Sequence, residues 1–173
     1  MSETAVTRSW FLQFIKDGKK QGVDLGFGGD ALFTNTITMD MLQPYTTVGK
    51  DVQHLFGDAR VLPFKDQTLD YVYSSHLIED FAVEEVEAVL REWIRVIRVG
   101  GYLLLAFPNI EKYNAFCVSR GQGTNQAHRN MDLNINWMVT FVAAHFPEMQ
   151  FVSDTFDEPY RCGVAFKRIT PSE

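Results

Sequence analysis

The amino-acid sequence predicts a three-layer α/β fold, with a mostly parallel sheet and an antiparallel hairpin at its C-terminal edge. Three observations lead to this prediction. Short strand-like segments alternate with helical or loop segments along the chain. One of them, Tyr102–Phe107, is apolar throughout, which is typical of a parallel strand covered on both faces. Residues 151–169 have the pattern of two strands joined by a turn at Asp157–Pro159.

The composition is that of one globular domain spanning residues 1–173. Hydrophobic residues make up 46% and charged residues 22%, which excludes disordered, collagenous and coiled-coil proteins. The net charge of −6 argues against non-specific nucleic-acid binding, because that binding needs clustered positive charge. No apolar segment is long enough to span a membrane. Cys117 and Cys162 lack CxxC spacing, so we expect a reduced, cytoplasmic protein without a metal site.

The first half of the chain is predicted to hold one helix and most of the strands. Aromatic and aliphatic residues recur at helical spacing over residues 9–17 and predict the first helix. Only residues 26–35 separate the first two strands, and a crossover with its helix needs more. We therefore expect the first crossover helix to be shortened or absent. The predicted strands are Gln21–Leu25, Thr36–Asp40, Val52–Phe56, Leu69–Ser74 and Tyr102–Phe107.

Two helices are predicted in the second half of the chain. The clearer one covers residues 82–98, where an i, i+4 pair of Glu87 and Arg91 supports it and Gly100 and Gly101 are expected to stop it. The other covers Asn136–His145 and ends before Pro147. The apolar stripe of the first helix consists of Val83, Val86, Val89, Leu90, Trp93, Ile94 and Ile97.

Glycines and carboxylates follow the predicted strands at the edge where open α/β sheets bind ligands. The glycines of Gly26–Gly29 allow a ligand to approach the backbone closely. Asp40 ends the second strand, where a carboxylate accepts hydrogen bonds from both hydroxyls of a ribose. Asp58 follows the third strand, in position to accept from an exocyclic amine. Each residue taken alone also fits an ordinary turn, and it is their ordered spacing that indicates a nucleotide-like ligand.

In this order, the segments resemble the motifs of class I S-adenosylmethionine (SAM)-dependent methyltransferases, and specifically those of the type 11 group. The short interval Gly26–Asp40 also resembles a subgroup associated with sugar and lipopolysaccharide biosynthesis. The resemblance implies a Rossmann-like methyltransferase sheet and a single methyltransferase-like domain. The matching segments lie within residues 20–110 and are Val23–Gly29, Thr38–Met41, Gly57–Phe64, Leu69–His76 and Arg95–Gly101.

The resemblance also implies which residues bind SAM. The glycine segment would face the methionine part of SAM, the second motif its ribose, and the segment after Gly57 its adenine. Three positions depart from the family pattern: Asp30 replaces the third glycine, Val99 replaces a proline, and Asp80 stands where a histidine is common. The implied cofactor-binding residues are Asp24, Gly26, Phe27, Gly28, Asp40, Met41, Asp58, Ala59 and Ser74.

Histidines are the candidate catalytic residues, because a hydroxyl acceptor benefits from a general base that is active near neutral pH. His76 follows the fourth strand, and His128 lies in the polar stretch Ser119–Asn130, which is either a lid over the acceptor or a plain surface loop. His128 also resembles a histidine of the sugar-linked subgroup. His54, inside the third strand, is predicted to be structural, and His145 is expected to cap the end of its helix.

The predicted function is methyl transfer from SAM to a small molecule or a glycan precursor, with no nucleic-acid or membrane partner. The sequence leaves the oligomeric state open. One alternative is a methyltransferase-like SAM-binding or regulatory subunit without turnover. Another is an NAD-dependent oxidoreductase, since Gly26, Gly28 and Ala31 fit a permissive dinucleotide pattern. That pattern requires an acidic residue about 20 positions further on, and Asp40 comes too early.

Overall fold

The computed structural model describes residues 5–15, 20–41 and 52–170. The helices are α1 (Ala5–Phe11), α2 (Val83–Val96), α3 (Ile110–Ser119) and α4 (Ile135–His145), with 3-10 turns at Leu12–Phe14 and Ile78–Asp80. The strands are β1 (Gly22–Leu25), β2 (Ile37–Asp40), β3 (Leu55–Phe56), β4 (Leu69–Ser75), β5 (Ile97–Pro108), β6 (Met149–Asp157) and β7 (Arg161–Arg168).

Within the described residues, the strands form one seven-stranded sheet in the order β3-β2-β1-β4-β5-β7-β6. β1 pairs in parallel with β2 and with β4, and the parallel pairing continues to β3 on one side and to β5 on the other. β7 is antiparallel to both β5 and β6. The predicted class is therefore confirmed: a mostly parallel sheet with an antiparallel hairpin at one edge.

Helices and loops cover the two faces of the sheet and make it the middle layer. On one face, α2 and α4 bury Trp93 and Val142 against strand residues such as Val72. On the other face, Phe11 and Leu32 pack with the tyrosines of β4 and with the apolar residues of β5 and β7. Among the described residues, this second layer is formed by α1, its 3-10 turn and the loop between β1 and β2.

The loop between β1 and β2 contains no helix, as its length predicts. Instead, buried Leu32 occupies the sheet face that a crossover helix would cover. The loop is held at its far end by Thr36, whose hydroxyl lies 2.6 Å from the phenol oxygen of Tyr71. The short interval in the sequence thus corresponds to a compact loop over the start of the sheet.

The predicted boundary between α2 and β5 is wrong. α2 ends at Val96, and β5 begins at Ile97, so Gly100 and Gly101 lie inside a strand and do not stop the helix. The β4–β5 pairing is irregular between Leu69 and Tyr71. A Cβ at Gly101 would lie 2.6 Å from the carbonyl oxygen of Asp70, so the glycine is needed for this close backbone approach.

Helix α3 was not predicted from the sequence. Only two of its residues, Ile110 and Cys117, are buried, so its apolar stripe is too narrow to show as a helical period. β3 is restricted to Leu55–Phe56 and is shorter than the predicted strand over residues 52–56. The first helix begins at Ala5, ahead of the predicted start, and the end predicted for it at residues 16–17 lies outside the described residues.

The helix predicted over Asn136–His145 and the C-terminal strands are confirmed to within a few residues. The ion pair predicted on α2 is also confirmed, because Arg91 Nη2 lies 2.6 Å from Glu87 Oε1. In the part of the chain that the structure describes, no helix is long and apolar enough to cross a membrane.

Candidate functional site

A cleft of about 180 Å³ opens at the carboxyl ends of β1 to β4. Five of the candidate cofactor residues line it, namely Gly26, Asp40, Met41, Asp58 and Ala59. Three further lining residues, Met39, Gly57 and Arg60, lie in the predicted motif segments, whereas Leu77, Asp80 and Phe81 were not predicted to line it.

The turn after β1 forms one wall of the cleft. Gly26 has φ +70°, and its N–H donates to the carbonyl of Met39 at 3.1 Å. A Cβ at Gly26 would lie 3.0 Å from the Cβ of Leu77, on the opposite wall. The turn therefore needs a glycine both for its left-handed conformation and for the close approach of the two walls.

Asp24 lies beneath this turn, outside the lining of the cleft. It is buried, and its Oδ2 accepts a hydrogen bond from the N–H of Leu32 at 3.2 Å. Burial raises the pKa of the Asp24 carboxyl well above its usual value. Asp24 thus supports the loop that carries the glycines.

Three other candidates also lie outside the lining of the cleft. Phe27 is buried, whereas Gly28 is exposed, and a Cβ added at Gly28 would meet nothing within 4 Å. Ser74 is buried at the end of β4, and no hydrogen-bond partner for its hydroxyl lies among the described residues.

Asp40 ends β2 at the open edge of the cleft. Its Oδ1 accepts from the N–H of Met41 at 2.7 Å, and its carbonyl accepts from the N–H of Gly57 at 3.0 Å. The carboxylate is only half-buried, so it presents acceptor atoms to the cleft while its backbone holds β3 alongside.

Helix α2 holds the segment after β3 in place. Trp93 Nε1 donates to the carbonyl of Ala59 at 2.8 Å, and Glu92 Oε1 accepts from the N–H of Leu62 at 2.7 Å. Asp58 lies at the mouth of the cleft, where Arg60 Nη1 approaches its Oδ1 at 3.3 Å. The apolar period of α2 places Trp93 in the core. Through its hydrogen bond to Ala59, Trp93 also positions a wall of the site.

His76 and His128 meet around a third residue, Glu79. Glu79 is fully buried, and its Oε1 lies 3.2 Å from Nδ1 of His76 and 3.9 Å from Nε2 of His128. His76 directly follows β4 and has φ +55°, a conformation that costs energy for any residue with a Cβ. The sequence identified both histidines but not the carboxylate that joins them.

The loop containing His128 is docked onto the 3-10 turn that contains Glu79. The carbonyl of Glu79 accepts from the N–H groups of Arg129 and Asn130 at 2.8 and 3.1 Å. Arg129 Nη1 also lies 2.7 Å from Glu85 Oε2 on α2. The ring of Tyr113 on α3 lies 4.9 Å from that of His128. Loop and turn therefore form one continuous wall beside the cleft.

Asp80 connects this cluster to the cleft, since it follows Glu79 and lines the cavity. Burial, and then repulsion by Glu79, raise the pKa of Asp80 to about 6, while His76 opposes this rise. Its Oδ1 and the Nδ2 of buried Asn130 have no hydrogen-bond partner among the described residues. Buried atoms of this kind favour a polar ligand.

The other two histidines have structural contacts. His54 precedes β3, and its Nδ1 lies 2.8 Å from the hydroxyl of Thr38. His145 Nδ1 lies 2.9 Å from the carbonyl of Phe141, which confirms the predicted cap at the end of α4. Across the described parts of the chain, no group of His, Cys, Asp or Glu is arranged to hold a metal ion.

Comparison with known protein families agrees with this geometry. A family model described as a methyltransferase domain matches residues 24–105, from the buried Asp24 to the middle of β5. This segment contains the glycine turn, Asp40 and the Asp58–Ala59 segment, as well as His76 and Glu79. No curated protein matches the sequence.

Solved structures share the fold of this protein over nearly the whole chain. A SAM-dependent methyltransferase from Aquifex aeolicus has a TM-score of 0.63 at 14% identity, covering 97% of this chain and 94% of its own. Another from Archaeoglobus fulgidus has a TM-score of 0.66 at 13% identity, covering 96% of this chain and 95% of its own.

The predicted enzyme class and cofactor are therefore confirmed at the level of the domain and the fold. SAM is the methyl donor that the methyltransferase domain implies. The cleft fits this group, because it offers a glycine turn, a carboxylate at the end of β2 and a polar segment after β3.

Proposed function

We propose that this chain transfers the methyl group of SAM to a hydroxyl of a small polar molecule, such as a sugar or a glycan precursor. The observation that favours this function is the convergence of His76 and His128 on buried Glu79, beside the cofactor cleft. A base is needed for a hydroxyl acceptor, because the oxygen must lose its proton as it is methylated. The unpartnered polar atoms of Asp80 and Asn130 favour a polar acceptor.

In this proposal, the residues at the strand ends divide the recognition of SAM among them. The backbone of Gly26–Gly28 faces the methionine part, with Phe27 and Asp24 packed beneath it and Ser74 beside it. Asp40 and Met41 hold the ribose, and Asp58 and Ala59 hold the adenine. These residues orient the donor and exclude water, while the bound cofactor itself supplies the electrophilic methyl carbon.

His76 and His128 are the proposed catalytic residues. Neither histidine lines the cleft itself, but both approach Glu79, whose neighbour Asp80 does line it, and the acceptor is proposed to reach them from there. An imidazole takes up a proton only when it is neutral, so the transfer rate should rise with pH until both rings are deprotonated.

The experiment has two stages, binding and transfer. In calorimetry, we expect SAM and S-adenosylhomocysteine to bind and NAD not to bind. Labelled SAM is then incubated with matched panels of sugars and other hydroxyl compounds, amines and thiols. Transfer to a hydroxyl supports the proposal, and transfer to amines alone contradicts it. Absence of SAM binding would contradict the cofactor assignment itself.

Histidine variants test the proposed base. His76→Asn or His128→Asn should lower kcat about 100-fold or more and leave the SAM dissociation constant unchanged. His145→Asn is the matched control, because that ring lies on α4 against Phe141. If both site variants retain full activity, neither histidine is the base.

A further inference from the structure

We infer that Glu79 is a positioning residue that fixes the Nδ1–H tautomer of His76 and so makes Nε2 the basic atom of that ring. The role of this atom in catalysis rests on the proposed function, but the tautomer itself does not. The inference is based on the positions of the carboxylate and the two rings.

The distances distinguish the two histidines. His76 Nδ1 is 3.2 Å from Glu79 Oε1, a close ion-pair contact, whereas His128 Nε2 is 3.9 Å away. Neither carboxylate oxygen of Glu79 has a hydrogen-bond partner among the described residues, and a carboxylate only accepts, so it favours a proton on the nitrogen that faces it. In a neutral imidazole with a proton on Nδ1, the lone pair is on Nε2.

The surroundings of Glu79 hold the carboxylate in this position. Its side chain is fully buried, and its carbonyl accepts two N–H groups from the loop at residues 129–130. The N–H of His76 donates to the carbonyl of Ala106 on β5 at 2.9 Å, which anchors the backbone of the histidine. Hydrogen bonds thus anchor the backbone of both partners, and burial restricts the side chain of Glu79.

Several charged and titratable groups of the described residues adjoin the pair. Asp80 adjoins it on the same turn, His128 and Arg129 face it from the loop, and Tyr113 contacts His128 from α3. Arg129 is paired with Glu85, so its charge is balanced on the side of α2.

In methyl transfer to a hydroxyl, this arrangement gives the proton a defined destination. The acceptor oxygen bonds to the methyl carbon as the carbon–sulfur bond breaks, and the hydroxyl proton passes to Nε2 of His76. The imidazolium that forms is stabilised by the Glu79 carboxylate, and the thioether product leaves with the electron pair of the broken bond. The proton is then released to solvent.

The test is nitrogen-15 NMR of the histidine rings, with the resonances assigned from His76→Asn and His128→Asn. In the wild type, neutral His76 is expected as the Nδ1–H tautomer. In Glu79→Gln, the proton affinity of His76 should fall about tenfold, so that its titration midpoint moves about one pH unit lower. A dominant Nε2–H tautomer in the wild type, or an unchanged midpoint in the variant, would overturn the inference.

Controls distinguish a failure of this inference from misfolding of the variant and from a failure of the proposed function. Glu87→Gln removes the same charge on the outer side of α2 and should leave both midpoints unchanged. If Glu79→Gln does not fold, the wild-type tautomer still decides the inference. SAM binding is measured on the same samples. A wild type that shows the tautomer but does not bind SAM contradicts the proposed function and leaves the positioning role intact.

Discussion

Asp24 Oδ2 accepts a hydrogen bond from the backbone N–H of Leu32 across the loop that replaces the first crossover helix. Both residues are buried, and Leu32 covers the sheet where that helix would pack. A single carboxylate therefore ties the glycine turn of the cleft to the layer that shields the sheet.

Asp24→Asn should make the stability of the protein less dependent on pH. Burial raises the pKa of Asp24 in the folded state, so the folded protein holds its proton more tightly than the unfolded chain. The stability contributed by this proton is complete below about pH 4, the unfolded value, and is lost as the pH rises through the folded value. Urea unfolding at pH 4, 6 and 8 measures the effect. The free energy of unfolding of Asp24→Asn, relative to that of the wild type, should be highest at pH 8.

In Asp24→Asn, the amide oxygen of the new side chain still accepts the hydrogen bond from Leu32. Asp24→Ala removes that acceptor and is therefore the informative comparison. The alanine variant loses the hydrogen bond and should be less stable than Asp24→Asn by about 1–3 kcal/mol at every pH. Equal stability of the two variants would show that the Leu32 contact contributes nothing.

Gly26→Ala should destabilise the protein without cofactor by about 1–2 kcal/mol, because the new side chain must adopt a left-handed conformation. The added Cβ would also press against Leu77 at 3.0 Å. Gly28→Ala is the matched control, since its Cβ would meet nothing within 4 Å. Thermal unfolding distinguishes the two, and an equal loss in both variants would contradict the steric explanation.

Asp40→Ala should weaken SAM binding by roughly 10- to 150-fold, or about 1.5–3 kcal/mol, the value of hydrogen bonds to a charged group. The fold should change little, because the backbone bonds of Asp40 remain. Calorimetry gives the affinity. Asp154→Ala, which removes an exposed carboxylate on β6, should bind SAM as the wild type does. Unchanged affinity in Asp40→Ala would remove Asp40 from the site.

Asp80→Asn should raise the free energy of unfolding by about 1 kcal/mol more at pH 7.5 than at pH 4. This value is reduced because the carboxyl group is half open to solvent, which screens its interactions. Burial and Glu79 raise the pKa of Asp80 to about 6, so the wild type loses stability as the pH rises from about 4 to 6. Denaturant titration at several pH values measures this window. A constant difference between variant and wild type would contradict a raised pKa.

Local patterns in the sequence were sufficient for the fold class and for five of the residues that line the cleft. The apolar period of α2, the continuous apolar run of β5 and the short interval after β1 each reflect burial by near neighbours in the chain. The glycines and carboxylates at the strand ends converge because parallel strands bring their carboxyl ends to the same edge. Helix α3 and the start of β5 were missed, since a narrow buried stripe and a sheet irregularity leave no clear period.

The sequence by itself determined the sheet, the glycine turn and the positions of Asp40 and Asp58, because each depends on residues adjacent in the chain or on strand direction. Only the tertiary structure brought His76 and His128 to the same carboxylate. They are far apart in the chain, and their meeting depends on Glu79 accepting the loop N–H groups while burying its own side chain. Contacts of this kind depend on how a loop closes in three dimensions, which local periodicity does not encode.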